Sequence, residues 1–236
     1  MRILFLPILL GLMTACSPEE NPAFLEPIFF PCNPDGTVID PTRIDAFPED
    51  CTTLVFDDDL TTIDNNDWNI FNETGFRTGF TDENDYLLIS ETNGTWISIE
   101  SLTAMDDLED YDLTISLRFL GVPSNRFQGI TWGGRGGLDD LYRFAVTTSG
   151  RFHVVRIEDR QTVETIFDQT TDAVNPTANT LQVRRFSGAT HFFINGNYVG
   201  SAPQPLPQFG TQIGFSISGE SVVQVERVMV RTLRED

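Results

Sequence analysis

The stretch GITWGGRGGLDDLYRF, residues 129–144, sets Trp132, Arg135, Asp139, Asp140, Tyr142 and Arg143 around four glycines. These residue types suit a carbohydrate. An aromatic face stacks on the apolar side of a sugar ring, and carboxylates and guanidinium groups bond its hydroxyls. Glycine lets backbone and ligand approach closely. Trp132 and Tyr142 also suit the core of a β structure, and Arg135 with Asp139 a surface pair. The sequence leaves both readings open.

A second set is acidic. Asp57, Asp58 and Asp59, with Asp64, offer the hard oxygen ligands that calcium takes. Neighbouring acids on a strand point to opposite faces, so Asp57 and Asp59 are the pair that could converge on one ion. Asp35, Asp40 and Asp45 lack the spacing of a calcium loop, and Pro34-Asp35-Gly36 reads as a turn. His153 and His191 each stand alone inside strand-like runs and read as sheet residues. The chain contains no H-E-x-x-H, G-x-S-x-G or Walker loop. No catalytic residue is assigned.

Bulk composition limits the partners. The 236 residues carry a formal net charge of −20, which repels nucleic-acid phosphates and anionic headgroups alike. All fifteen basic residues are arginine. Such acidity without lysine fits a salt-rich habitat or a GC-rich genome equally, and it concerns solubility. A hydrophobic fraction of 40% is ample for a packed core.

The elements that position these residues follow from periodicity. From Thr52 onward apolar residues alternate with polar ones, interrupted by Gly, Asn, Asp and Pro. DLTISLRF puts Leu113, Ile115, Leu117 and Phe119 on one face. LYRFAVTTSGRFHVVRI predicts two strands about a Ser149-Gly150 turn, with Tyr142, Phe144 and Val146 sharing a face. Asn195-Gly196 predicts a two-residue hairpin turn. The alternation slips between Val225 and Val228, which predicts a bulge or bend. No amphipathic helix is evident. The fold class is all-β, an antiparallel β-sandwich or barrel.

The N-terminus differs. Residues 1–15 hold Arg2, an apolar run of eleven residues and then Thr14-Ala15, too short for a membrane span of about 20 residues. The run fits a signal peptide. Met13-Thr14-Ala15-Cys16 resembles the lipobox of bacterial lipoproteins, which implies a diacylglycerol on the Cys16 sulfur and cleavage before it. Met13 stands where leucine is usual. Ser17-Pro18-Glu19-Glu20 resembles the acidic tract that sends some lipoproteins to the cell surface, and a plain solvated tether is the other reading. Residues 17–50 hold seven of the thirteen prolines and read as a tether. Export places Cys32 and Cys51 in an oxidising compartment. With Cys16 acylated, these two are left to pair as a disulfide closing a loop of the tether. The expected organisation is signal peptide 1–15, tether 16–51 and sandwich 52–236.

Five segments taken in order carry a further resemblance: VFDDDLTTIDNNDWNIF, DYDLTISLRF, LYRFAVTTSGRFHVVRI, NTLQVRRFSGATHFFINGNYVG and IGFSISGESVVQVERVMV. Together they resemble the concanavalin A-like lectin/glucanase jelly roll, nearest to the laminin-G-like and 3-keto-disaccharide hydrolase-type domains of bacterial lipoproteins. The resemblance covers residues 53–233 and makes Trp68 a core residue. Trp96 reads as packing too. The E-x-D-x-x-E stretch of the glucanases is missing: Glu158, Asp159 and Glu164 have another spacing, and the acids of 106–112 lack the period. The resemblance implies a non-catalytic lipoprotein of the bacterial outer membrane, facing the surface or the periplasm. Its sandwich would bind a carbohydrate or a cell-envelope partner protein, and its anchor the membrane. It would need no cofactor unless Asp57 and Asp59 hold calcium. A diverged glycoside hydrolase and a structural subunit of an outer-membrane complex are the competing readings.

Overall fold

The computed structural model describes residues 39–47, 52–61, 68, 70–83, 85–101, 110–135 and 140–233. Cys16, Cys32 and Cys51 lie outside these residues, as do Asp64, Asp139, the signal run and most of the tether. Fifteen strands and no helix occur among the described residues. The structure is an all-β antiparallel sandwich.

One sheet holds nine strands. These are β1 (Thr52–Asp58), β2 (Asn72–Glu73), β3 (Phe76–Phe80), β4 (Tyr86–Ser90), β6 (Tyr111–Gly121), β11 (Ala178–Phe186), β12 (Ala189–Ile194), β13 (Asn197–Ser201) and β15 (Ser221–Leu233). The other holds six: β5 (Thr95–Ser101), β7 (Gln128–Gly134), β8 (Leu141–Val146), β9 (Arg151–Glu158), β10 (Gln161–Thr170) and β14 (Gln212–Ser218). In the six-stranded sheet the order is β10-β9-β8-β7-β14-β5.

The core lies between the sheets, where both inner faces present their apolar residues. Leu113, Ile115, Leu117 and Phe119 of β6 face it, at 0, 0, 1 and 8% exposure. Ile130, Phe144, Phe152 and Phe215 answer from the six-stranded sheet. Burying one such side chain stabilises by roughly 1.5–3 kcal/mol. The predicted hairpins form. Asn195 and Gly196 adopt φ of 52° and 76°, the left-handed pair that a tight hairpin requires. Gly150 turns β8 into β9. The slip in β15 is a register shift between Val225 and Arg227. It returns Val228 and Val230 to the core face, both 0% exposed.

Residues 39–47, assigned by composition to the tether, pack on the outer face of the nine-stranded sheet. Arg184 holds them. Its Nη1 donates to the carbonyls of Pro41 at 3.1 Å and Arg43 at 2.6 Å, and its Nη2 to that of Ile44 at 3.2 Å. The same guanidinium pairs with Asp112 at 2.9 and 3.1 Å. It lies between the rings of Phe47 and Phe193, 4.6 and 4.9 Å from their centroids.

Candidate functional site

The six residues of the 129–144 cluster do not form one site. Trp132 and Tyr142 are cross-strand partners on the inner face, 3 and 2% exposed. Their rings stack at 5.3 Å, and Phe209 and Phe192 close on them at 5.6 and 5.9 Å. Burial pushes the Tyr142 hydroxyl up to about 12. No ring face is left for a sugar, so these two are core residues and the stacking expectation is corrected. Arg143, next along β8, points the opposite way. Arg135 lies exposed just past the end of β7. Asp140, with φ of 53°, accepts from Arg156 at 3.0 Å just before β8.

The carboxylates expected to converge on calcium are engaged elsewhere. Asp57 takes both Nε and Nη2 of Arg227, each at 2.7 Å. Asp59 accepts from Thr61 N at 3.1 Å and Thr61 Oγ1 at 2.7 Å. Asp58 holds Leu60 N at 2.7 Å and Trp68 Nε1 at 2.9 Å. Among the described residues no group of three or more His, Cys, Asp or Glu is placed to hold a metal ion.

The outer face of the six-stranded sheet is the stronger candidate. Register sets its rows. Val155, Arg143, Thr131 and Gly214 lie side by side on β9, β8, β7 and β14. The next row runs His153, Ala145, Gly129, Ser216 and Ile97. Its apolar members are buried although they face away from the core: Leu141, Val155 and Ile157 are 1, 4 and 4% exposed. Seven buried side-chain polar atoms among the described residues have no hydrogen-bond partner. Four belong to this one face: Thr131 Oγ1, Arg143 Nε, His153 Nε2 and Ser216 Oγ. Native proteins leave few such groups, and each is destabilising by about 1–3 kcal/mol. Their concentration on one face marks it as unusual.

A pocket of about 570 Å³ opens here. Arg143, Ile157, Arg160 and Thr162 line one side, from β8, β9, β10 and the turn joining the last two. Thr95, Trp96 and Ile97 of the edge strand β5 line the other, together with Phe71, Glu73 and Phe76 from the edge of the nine-stranded sheet. Trp96 stacks flat on Phe76 at 5.2 Å, and its Nε1 donates to Thr92 at 3.1 Å. Asp159 and Arg160 adopt φ of 48° and 64°, the left-handed pair of the two-residue turn that joins β9 to β10.

Electrostatics set the face apart. Burial pushes the Arg143 guanidinium down to about 10, which leaves it cationic at neutral pH. His153 stacks on Phe127 at 3.7 Å. Burial, and then the neighbouring Arg143 charge, hold its imidazole down at about 3, so it is neutral. Sequence reasoning found Arg143 in the wrong company and read Trp96 as packing, which its stack on Phe76 bears out, without its place beside the pocket. The one usable signal was Arg143 itself, a charge in an otherwise apolar strand.

No protein-family model matches the chain, and no curated protein sequence matches it. Solved structures do. A Bacillus subtilis protein of unknown function with a galectin-like fold superposes with a TM-score of 0.58 at 11% identity, over 77% of this chain and 98% of its own. A sialidase matches at a TM-score of 0.53 and 10% identity, over 74% of this chain and 18% of its own. The carbohydrate-binding module CBM66 from Bacillus subtilis reaches 0.44 at 10% identity, over 76% of this chain and 94% of its own. At these identities the likeness is one of fold: the chain has the jelly-roll sandwich architecture expected from its sequence.

Proposed function

We propose that this chain is a lipid-anchored, non-catalytic glycan-binding protein of the bacterial outer membrane, of the laminin-G-like branch of the jelly rolls. The pocket on the outer face of the six-stranded sheet is its site. The observation that carries the reading is the pairing, in one pocket, of an aromatic wall with polar groups free to bond a ligand. Trp96 and Phe71 supply the wall, and Arg143 and Thr162 the donors. Sugars are recognised by this combination of ring stacking and convergent hydrogen bonds. Glu73 is the one carboxylate among the described lining residues. Cleaving a glycosidic bond by the usual route takes two, which favours binding over hydrolysis. The anchor is supported by the Met13–Cys16 motif alone.

Trp96 provides the test. Trp68 and Trp132 are 3% exposed in the core, so a saccharide entering the pocket changes the emission of Trp96. Oligosaccharides selected on a glycan array should change the fluorescence saturably, and Trp96→Phe should abolish the signal. An array without hits, together with flat calorimetric titrations, would sink glycan binding. Cys16→Ser should move the protein from the detergent phase to the aqueous phase; unchanged partitioning would remove the lipid anchor.

A further inference from the structure

We infer that the saccharide bound here is anionic, a uronic acid or a sulfated sugar whose oxyanion pairs with Arg143. This inference rests on glycan binding at the same pocket. Its starting point is the treatment of arginine across the molecule. Six arginines among the described residues are buried or half-buried. Five donate to a protein acceptor: Arg126 to Asn93, Arg156 to Asp140, Arg184 to Asp112, Arg185 to Gln208 and Arg231 to Thr52. Arg143 donates to none.

Its surroundings explain why. Val155 and Thr131 flank it across the sheet, and Leu141 and Ala145 flank it along β8. The acid nearest in the neighbouring row, Asp168 on β10, is taken by Nε of Arg151 at 2.6 Å. Among the described residues no carboxylate bears on Arg143, and burial moves its pKa. A guanidinium cannot shed its proton to escape such a site, and a half-buried charge with a buried, unpartnered Nε and no counter-charge is unfavourable. What would relieve it is an anion from outside. The planar fork of the guanidinium fits the paired oxygens of a carboxylate or a sulfate.

The rest of the pocket points the same way. Among the described lining residues Arg160 adds a second cation against the one carboxylate of Glu73, so these residues are net positive in a chain of net charge −20. A protein so acidic repels polyanions in general, and one positive recess makes it selective for an anion that fits. The size of the ligand also follows. Arg143 on β8 and the β5 residues are three strand spacings apart, about 14 Å, so a ligand touching both is an oligosaccharide rather than one sugar.

Matched pairs decide the matter. The purified protein is titrated calorimetrically with galacturonate oligomers and their methyl esters, and with sulfated dextran oligomers and plain dextran oligomers. Each pair shares its backbone and differs in charge. At least one charged member should bind tenfold or more tightly than its neutral match. Arg143→Met should erase that preference without lowering the melting temperature, and Arg143→Lys should keep part of it. Preference for the carboxylate pair or the sulfate pair identifies the oxyanion. Equal binding within both pairs, or a preference that survives Arg143→Met, overturns the inference and leaves glycan binding standing. The wild-type comparison decides alone if the variant does not fold. Binding of none of the four probes, with no acidic glycan on an array, overturns the inference together with the reading beneath it.

Discussion

Each outer face of the sandwich carries an arginine that points away from the core, and the two are treated in opposite ways. Arg184, on the nine-stranded sheet, spends its donors on Asp112 and on three carbonyls of residues 41–44, and two rings clamp it. Arg143, on the six-stranded sheet, has neither a counter-charge nor an acceptor among the described residues. The same side chain thus serves two ends. Where its bonds close within the protein it acts as a rivet. Where they stay open beside a pocket, the protein gives up stability and gains a place for something else to bind. Buried polar groups stabilise when satisfied and are a liability otherwise, and the liability persists where function needs it.

The comparison can be broken at several points. The largest effect belongs to Arg184→Met. It strands Asp112, whose side chain is 12% exposed, and frees residues 39–47, so urea denaturation should show a loss of about 3–5 kcal/mol. A loss below about 1 kcal/mol would mean that the rivet holds nothing. His153 comes next. It titrates at about 3 in the folded protein, against about 6.5 when free. Between those values the unfolded chain binds the extra proton, so stability falls as pH drops through that window, by up to about 1.4 kcal/mol per pH unit. His191 is lowered as well and adds to the same limb. His153→Phe keeps the stack on Phe127 and should flatten the slope between pH 6 and 4; an unchanged slope would show that His153 is charged when folded. Arg143→Met comes third and carries the opposite sign. Removing an unpaired, half-buried cation should stabilise by about 1 kcal/mol, a rise of a few degrees in Tm. Destabilisation there would make Arg143 a second rivet and erase the contrast. The smallest effect is the control. Arg227 and Asp57 form an exposed pair with side chains 51 and 29% accessible, and a double-mutant cycle should return about 0–1 kcal/mol.

Local chemistry explains what the sequence showed in advance. Strict alternation in β6, the Ser149-Gly150 and Asn195-Gly196 turns, and the slip after Val225 depend on neighbours in the chain, and all are present. The choice of inner face is a long-range matter. Period 2 sets Tyr142 and Arg143 on opposite faces of β8, but only the pairing with β7 and β9 and the packing on Phe192 and Phe209 put the tyrosine inside. Burial on both sides of β8 also removes the polar stripe that would have given the direction away. Trp96 was read as packing, as its stack on Phe76 bears out, but its place at the pocket was illegible for a related reason. It lines a pocket because β5 is the last strand of its sheet and lies near β2 and β3, an adjacency that no stretch around residue 96 encodes. The 129–144 cluster shows the reverse error, since residues crowded in sequence were distributed by the sheet over two faces and an end.

The clasp on residues 39–47 also fixes a direction. Residues 39–47 lie on the outer side of the nine-stranded sheet, and Arg143, Ile157 and Thr162 of the pocket belong to the other sheet. About 10 Å separates the mid-planes of two packed sheets, so the clasp and Arg143 stand on opposite sides of the sandwich. If the proposed lipid anchor holds the chain through this segment, the sheet face bearing Arg143 is the one turned away from the clasp. Cutting the clasp with Arg184→Met would leave the pocket intact yet free to face any way at all.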